Sequence, residues 1–307
     1  MAPVPEIRRR MHSRFDYHRA SSLEEACRLM AELPGAQILA GGTDLLVDVG
    51  TGIRQAENLI SVRDLPELRQ IRKLGDRIAV GAGCTAAQVE GAELVRRHFP
   101  ELAEVVTVFA SPQVRARATL GGNVCSAVPC CDFPPILMAL GSEIELRRSD
   151  GCRVLPLREF FIGNRQTVRR SDEILTQILI PLRGDRAAAS YQKFRRRASN
   201  SLAVASAAAF LELHGSLCRT ARIVLGAVAP IPLFAEKAGT SLVGKAVDEP
   251  AIAAAAEIAC QECRPITDQR ATESYRRQLV QVLTARALRE ALRRTGAGRP
   301  QRQENHE

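Results

Sequence analysis

The chain has 307 residues, longer than the roughly 100 to 200 of a typical domain, so two or three compact units are expected. Apolar residues make up 46% and charged residues 25%, near a soluble globular average, and no apolar run approaches the roughly 18 residues of a membrane-spanning helix, which excludes that class. The net charge is +9, and residues 1–11 carry Arg8, Arg9 and Arg10 without the apolar stretch an export signal needs, so a cytoplasmic protein with free, packed cysteines is expected.

In chain order, Ser22 with Glu25 reads as a capping box, and Leu23, Ala26, Cys27, Met30 and Leu33 recur at helical spacing until Pro34-Gly35 stops them. A short apolar run over 37–40 leads into Gly41-Gly42-Thr43-Asp44, another apolar segment, and a strand over 58–62. Residues 78–80 read as a strand, Thr85 as the cap of a helix to Arg97, and Pro100 as the start of a helix ending near Phe109. A second glycine loop, Thr119-Leu120-Gly121-Gly122-Asn123, precedes an apolar segment over 135–140. Ser149-Asp150-Gly151 joins strands 144–147 and 153–155 as a hairpin, and 173–180 reads as a buried strand ending at Pro181.

A boundary falls near Gly184-Asp185. Beyond it, 191–195, 202–213 and 218–228 read as strands with a turn at His214-Gly215, although the Ala-rich middle run fits a helix equally well. Helices follow over 250–263 and 272–292, the latter with Tyr275, Leu279, Val282, Leu283 and Leu288 on one face, and 294–307 reads as a disordered tail. Cys260 and Cys263 form one C-x-x-C in a helical pattern with no second ligand pair, which favours packing over metal. The late basic residues Arg276, Arg277, Arg286, Arg289, Arg293 and Arg294 have only Tyr275 as an aromatic platform, so a solvated face or a contact with an acidic partner explains them better than nucleic acid.

Three segments could cradle phosphate: the two diglycines and Gly81-Ala82-Gly83. Glycine lets backbone N–H groups turn toward an anion and removes the Cβ that would keep a diphosphate away, and Thr43, Thr119 and Asn123 add donors. Gly81-Ala82-Gly83 with Ala86 fits the dinucleotide fingerprint G-x-G-x-x-A, but Glu101 and Glu104, about 20 residues on, fall in a helical pattern rather than at the end of a second parallel strand, so this segment reads as a decoy.

Leu39-Ala40-Gly41-Gly42-Thr43-Asp44-Leu45-Leu46 resembles the first FAD loop of the flavin-binding medium subunits of carbon monoxide dehydrogenase and the xanthine dehydrogenase family. So do Ser111-Pro112-Gln113-Val114-Arg115 with the Thr119–Asn123 stretch, Pro129 and Asp132; Asp268-Gln269-Arg270-Ala271, Tyr275-Arg276-Arg277 and Arg286-Ala287-Leu288 are similar to the family's C-terminal domain. The resemblance covers about residues 15–292. It implies an α+β fold: a two-subdomain FAD-binding domain of the PCMH (vanillyl-alcohol-oxidase-like) type over 12–185, with subdomains of about 12–65 and 66–185, then a C-terminal domain over 186–293 built as a three-stranded antiparallel sheet with helices.

The same resemblance implies that Ile38, Leu39, Ala40, Gly41, Gly42, Thr43, Asp44 and Leu45, with Thr119, Leu120, Gly121, Gly122 and Asn123, bind the FAD diphosphate through backbone amides. It implies that Phe109 packs by the isoalloxazine, Asp132 hydrogen-bonds the cofactor, Leu175 touches the ring, and Lys193 sits near the pyrimidine end, where positive charge favours reduced, anionic flavin. Taken alone, Phe109 and Leu175 could be core, Asp132 a helix cap and Lys193 a surface residue. The implied function is an electron relay. FAD takes electrons from a [2Fe-2S] small subunit and passes them to an external acceptor, hydroxylation occurs at molybdopterin in a large subunit, and the assembly is a dimer of heterotrimers.

Some relatives carry a [4Fe-4S] cluster in a cysteine-bearing insertion; Cys125, Cys130, Cys131 and Cys152 invite that comparison, but no insertion is present here, and Cys130-Cys131 beside Asp132 leave a redox-sensitive thiol open. A self-sufficient flavoprotein oxidase or dehydrogenase would need an acid or base over the flavin, whereas His12, His18, His98, His214 and His306 all lie outside the flavin motifs. A basic binding module for nucleic acid or protein is the remaining alternative.

Overall fold

The computed structural model describes residues 15–197 and 201–296; His12, His306 and the tail beyond 296 lie outside the described residues. The first unit runs β1 (Asp16–Arg19), α1 (Leu23–Glu32), β2 (Ala36–Leu39), α2 (Leu45–Gly50) and β3 (Asn58–Ser61), and its strands form a parallel sheet in the order β1-β3-β2. Ser22 caps α1 by accepting from the Glu25 N–H at 3.1 Å. The expected reciprocal bond is displaced by one residue: the Glu25 carboxylate accepts from the Ser21 N–H at 2.7 Å and the Ser21 hydroxyl at 2.5 Å. The apolar segment after the first glycine loop is the helix α2.

β4 (Ile71–Leu74) and β5 (Arg77–Gly81) open the second unit, followed by α3 (Ala86–Gly91), α4 (Glu93–His98), α5 (Pro100–Val108), α6 (Pro112–Arg115), α7 (Leu120–Ser126) and α8 (Phe133–Ala139). The helix expected from Thr85 to Arg97 breaks at Ala92, although Thr85 and Gln88 do form a reciprocal capping box at its start. Then come the hairpin β6 (Glu143–Arg148) and β7 (Gly151–Pro156), a small ribbon of β8 (Phe161–Gly163) and β9 (Gln166–Thr167), and the buried central strand β10 (Ile174–Pro181). The resulting sheet, β4-β5-β10-β6-β7, is antiparallel throughout. Gly81-Ala82-Gly83 therefore follows a strand with antiparallel neighbours on both sides, the wrong setting for a dinucleotide fingerprint.

The last unit is β11 (Ala187–Arg195), β12 (Ala203–His214), β13 (Leu217–Gly226), the two-residue β14 (Leu233–Phe234), α9 (Glu236–Thr240), α10 (Glu249–Glu262) and α11 (Glu273–Arg294). The Ala-rich run is a strand, and its composition follows from position. β12 is the middle of the three long strands and is buried on both faces, with Ala208 and Phe210 toward the main core and Ala205, Ala207, Ala209 and Leu211 toward the helices. Neither face is polar, so the alternation that would have separated strand from helix is absent. The buried face of α11 is also rotated from its expected position: Arg276, Leu279, Val280, Leu283, Ala287 and Leu288 are buried, while Tyr275 and Val282 are exposed.

The basic cluster on α11 is largely neutralised within the chain. Arg276 pairs with Asp268, Arg277 with Glu273, Arg289 with Glu249, Arg293 with Glu290, and Arg294 with Glu104. Arg276 ties α11 to the sheet by donating to the Val204 carbonyl at 2.9 Å and the Ala227 carbonyl at 2.7 Å. Burial tends to raise the Asp268 carboxyl, but the N–H groups of Arg270 and Ala271 and the Arg276 guanidinium outweigh it and hold it at about 2, against an ordinary 3.8. A depressed carboxylate stabilises the fold above its ordinary value, and that contribution is lost as the pH falls through about 2. Asp268→Asn is expected to lower stability at neutral pH, with the gap to the parent chain closing between pH about 4 and about 2 in denaturant melts; a gap independent of pH contradicts the assignment.

Candidate functional site

A cleft of about 450 Å³ lies where the parallel sheet, the start of α7 and the start of β10 converge, within the range of cofactor sites. One wall is the turn between β2 and α2. A Cβ on Gly41 would stand 2.0 Å from the Arg117 carbonyl oxygen, and Gly42 has φ +76°. Among the described residues the N–H groups of residues 41–45 have no acceptor, and the first closing bond of α2 is Leu46 N–H to the Gly42 carbonyl at 3.2 Å. Asp44 stands at the cap position without making a cap bond. Five consecutive unpaired donors beside a cleft are a cradle for an anion.

The second glycine segment is organised differently. Thr119 is the N-cap of α7 rather than part of a loop, and the backbone donors are already taken: Leu120 by the Cys84 carbonyl at 2.9 Å, Gly121 by the Ala82 carbonyl at 2.9 Å, Gly122 by Thr119 Oγ1 at 3.0 Å and Asn123 by the Thr119 carbonyl at 3.0 Å. The expected donation of these amides to a diphosphate is therefore corrected. Docking of α7 on the turn after β5 uses them, and Gly121 is glycine because a Cβ would lie 2.5 Å from that of Ala82. What this wall offers is the Thr119 hydroxyl hydrogen and the Asn123 side-chain amide, whose Oδ1 accepts from the Phe133 N–H at 3.3 Å while its Nδ2 has no acceptor among the described residues.

Asp132 lines the cleft at the start of α8, buried, and makes no cap bond. Its Oδ2 accepts from Lys193 Nζ at 2.9 Å and its Oδ1 from the Tyr191 hydroxyl at 2.7 Å. Lys193 is no surface residue: its side chain is 2% exposed and also donates to the Val108 carbonyl at 3.3 Å. Burial pushes the Asp132 carboxyl up, against the pull of the Lys193 ammonium, and pushes the Tyr191 phenol well above its ordinary value.

Of the remaining expected residues, Ile38, Ala40, Phe109 and Leu175 line the cleft, with Phe109 also packed on Phe133 at 5.2 Å between ring centroids. Leu39 and Leu120 are core residues beneath it, and Lys193 stands behind Asp132. Sequence reasoning missed Tyr191, which shares a face of β11 with Lys193 by the two-residue period of a strand. It also missed Arg165, which has φ +59° and reaches from the β8–β9 turn to pair with Asp48, and Arg169, whose Nη1 donates to the Glu173 carbonyl at 2.6 Å. Non-local pairings of this kind leave no spacing to read. The Glu173 carboxyl, which burial would raise, is held below its ordinary value by Arg153 and the Arg170 N–H. Cys125, Cys130 and Cys131 line the cleft with thiols pushed up by burial, that of Cys131 to about 12. Burial of this kind disfavours the reactive thiolate.

A cleft lined both by unpaired backbone donors and by a buried, ion-paired carboxylate suits a large anionic cofactor. Residues 13–183 match the model of the FAD binding domain in molybdopterin dehydrogenase, and residues 189–291 match the CO dehydrogenase flavoprotein C-terminal domain. The carbon monoxide dehydrogenase medium chain of Afipia carboxidovorans is 34% identical over 278 residues, 90% of this chain and 96% of that one. A putative xanthine dehydrogenase FAD-binding subunit of Escherichia coli is 28% identical over 91% of this chain and 97% of its own length. The solved carbon monoxide dehydrogenase of Hydrogenophaga pseudoflava superposes with a TM-score of 0.89 at 33% identity, covering 92% of this chain and 98% of that one. The chain belongs to the FAD-binding flavoprotein subunits of the molybdenum hydroxylases.

Gly41→Ala is expected to force the turn away from Arg117 and cost about 1–3 kcal/mol in thermal unfolding, with loss of bound FAD. Gly50→Ala, where a Cβ meets nothing within 4 Å, is the control. Equal FAD content in the two variants contradicts the cradle.

Proposed function

We propose that the cleft holds FAD and that the chain is the electron-relaying flavin subunit of a heteromeric molybdenum hydroxylase. The carrying observation is the run of free N–H groups over residues 41–45 in a cleft that Asp132, paired with Lys193 behind it, also lines. The Gly41–Leu45 amides take the diphosphate, helped by the Thr119 hydroxyl and the Asn123 amide. Phe109 and Leu175 supply apolar walls for the ring, Asp132 receives a hydrogen bond from it, and Lys193 keeps a positive charge nearby that favours added electrons. Bound FAD supplies the capacity to accept electrons singly and release them to a different acceptor.

On this reading a partner carrying [2Fe-2S] clusters delivers the electrons, a molybdopterin partner performs hydroxylation, and two such heterotrimers associate in the cytoplasm. Residues 12–185, divided near 65, form the FAD-binding unit and residues 186–293 the C-terminal unit. Among the described residues no helix is long and apolar enough to cross a membrane, and no group of three or more His, Cys, Asp or Glu is placed to hold a metal.

The relay is tested by removing FAD from the purified complex. Substrate should still reduce the iron–sulfur centres, seen by their absorbance, while turnover with the external acceptor stops and returns on adding FAD. Substrate oxidation by the isolated flavin chain contradicts the relay.

A further inference from the structure

Among the described residues, two side chains donate to the Asp132 carboxylate. Tyr191 and Lys193 stand two apart on β11, on one face, and each takes one oxygen of the carboxylate, at 2.7 and 2.9 Å. Lys193 Nζ and Arg195 Nη1 both donate to the Val108 carbonyl, at 3.3 and 3.2 Å, which anchors the same strand on the end of α5. Tyr191 does not line the cleft; Asp132 does. A phenylalanine would fill the same space, so the hydroxyl answers a need of Asp132 Oδ1.

We propose that Tyr191 is a positioning residue for the flavin: by holding Asp132 Oδ1 it fixes the carboxylate against Lys193, so that a neutral ion pair of set orientation faces the isoalloxazine and tunes its reduction potential. This rests on the reading of the cleft as the FAD site. The other groups facing the pair are the Arg195 guanidinium on β11, the Cys130 thiol before α8, and the buried Ser206 hydroxyl, which lies opposite Lys193 on β12 and interacts with the Tyr191 phenol. Without the phenol the buried carboxylate loses a donor that favours its charged form and takes a proton from water more readily. The Lys193 charge is then less well compensated, and added electrons on the flavin are favoured.

The test compares Tyr191→Phe with the parent chain in the assembled complex by redox titration of the flavin absorbance. The variant should keep FAD and show a more positive midpoint potential near neutral pH. In an Asp132→Asn background, where there is no carboxylate to hold, the same substitution should produce no further shift. An unchanged midpoint, or an equal shift in both backgrounds, overturns the proposal. If Tyr191→Phe does not fold or retain FAD, the parent chain labelled with 3-fluorotyrosine decides. Its tyrosines are Tyr17, Tyr191 and Tyr275, and exposed Tyr17 and Tyr275 serve as references. The Tyr191 fluorine resonance should move on flavin reduction, and a stationary one overturns the proposal. A parent chain that binds no FAD overturns instead the reading of the cleft, and this inference with it.

Discussion

The structure turns on a buried ion pair. Asp132 and Lys193 have side chains only 6% and 2% exposed, and taking two such charges out of water costs several kcal/mol each unless they meet and their remaining positions are filled. Here they meet across a junction. Asp132 begins α8 in the unit that carries the cleft, whereas Lys193 lies on β11 of the C-terminal sheet and reaches the end of α5 as well. Each charge finds its partner in the other unit, so the pair joins the C-terminal sheet to the wall of the cleft. The same logic recurs on a smaller scale at Glu101, fully buried on α5, which is held by two guanidinium nitrogens of Arg183 from the chain after β10.

The cradle opposite depends on a constraint of a different kind. Gly41 and Gly121 are required by the protein's own backbone, pressed against the Arg117 carbonyl and against Ala82. Close packing of β2, α7 and the turn after β5 brings two walls together, and it sorts their donors: those of α7 are consumed by that packing, and those of residues 41–45 are left for a ligand. Two segments that look alike in sequence thus have different tasks. One leaves its backbone donors unpaired beside the cleft, and the other is a docked helix start whose side chains face it.

Much of this was legible in the sequence where the signal is local. The capping residues Ser22 and Thr85, the hairpin at Ser149-Asp150-Gly151 and the central strand ending at Pro181 follow from turn chemistry and periodicity, and the structure bears them out within a residue or two. The Ala-rich β12 was ambiguous because both of its faces are buried, which removes the alternation that identifies strands. The break at Ala92 and the rotated face of α11 are set by tertiary packing, and of the C-terminal arginines, read as a solvated or partner-facing surface, Arg286, Arg289 and Arg293 are exposed while Arg276 is buried and several also pair with acids within the chain. Resemblance singled out Asp132 and Lys193, which the structure brings together, but their companion Tyr191 and the Arg165–Asp48 bridge are long-range pairings that no local pattern announces.

The account stands or falls on FAD in this cleft, and the most direct measurement is the visible spectrum of the purified chain, with FAD released by denaturation and counted per chain. The account predicts flavin bands near about 370 and 450 nm from a bound cofactor, one FAD per chain, and no stoichiometric iron. A colourless chain that takes up no FAD on reconstitution contradicts it.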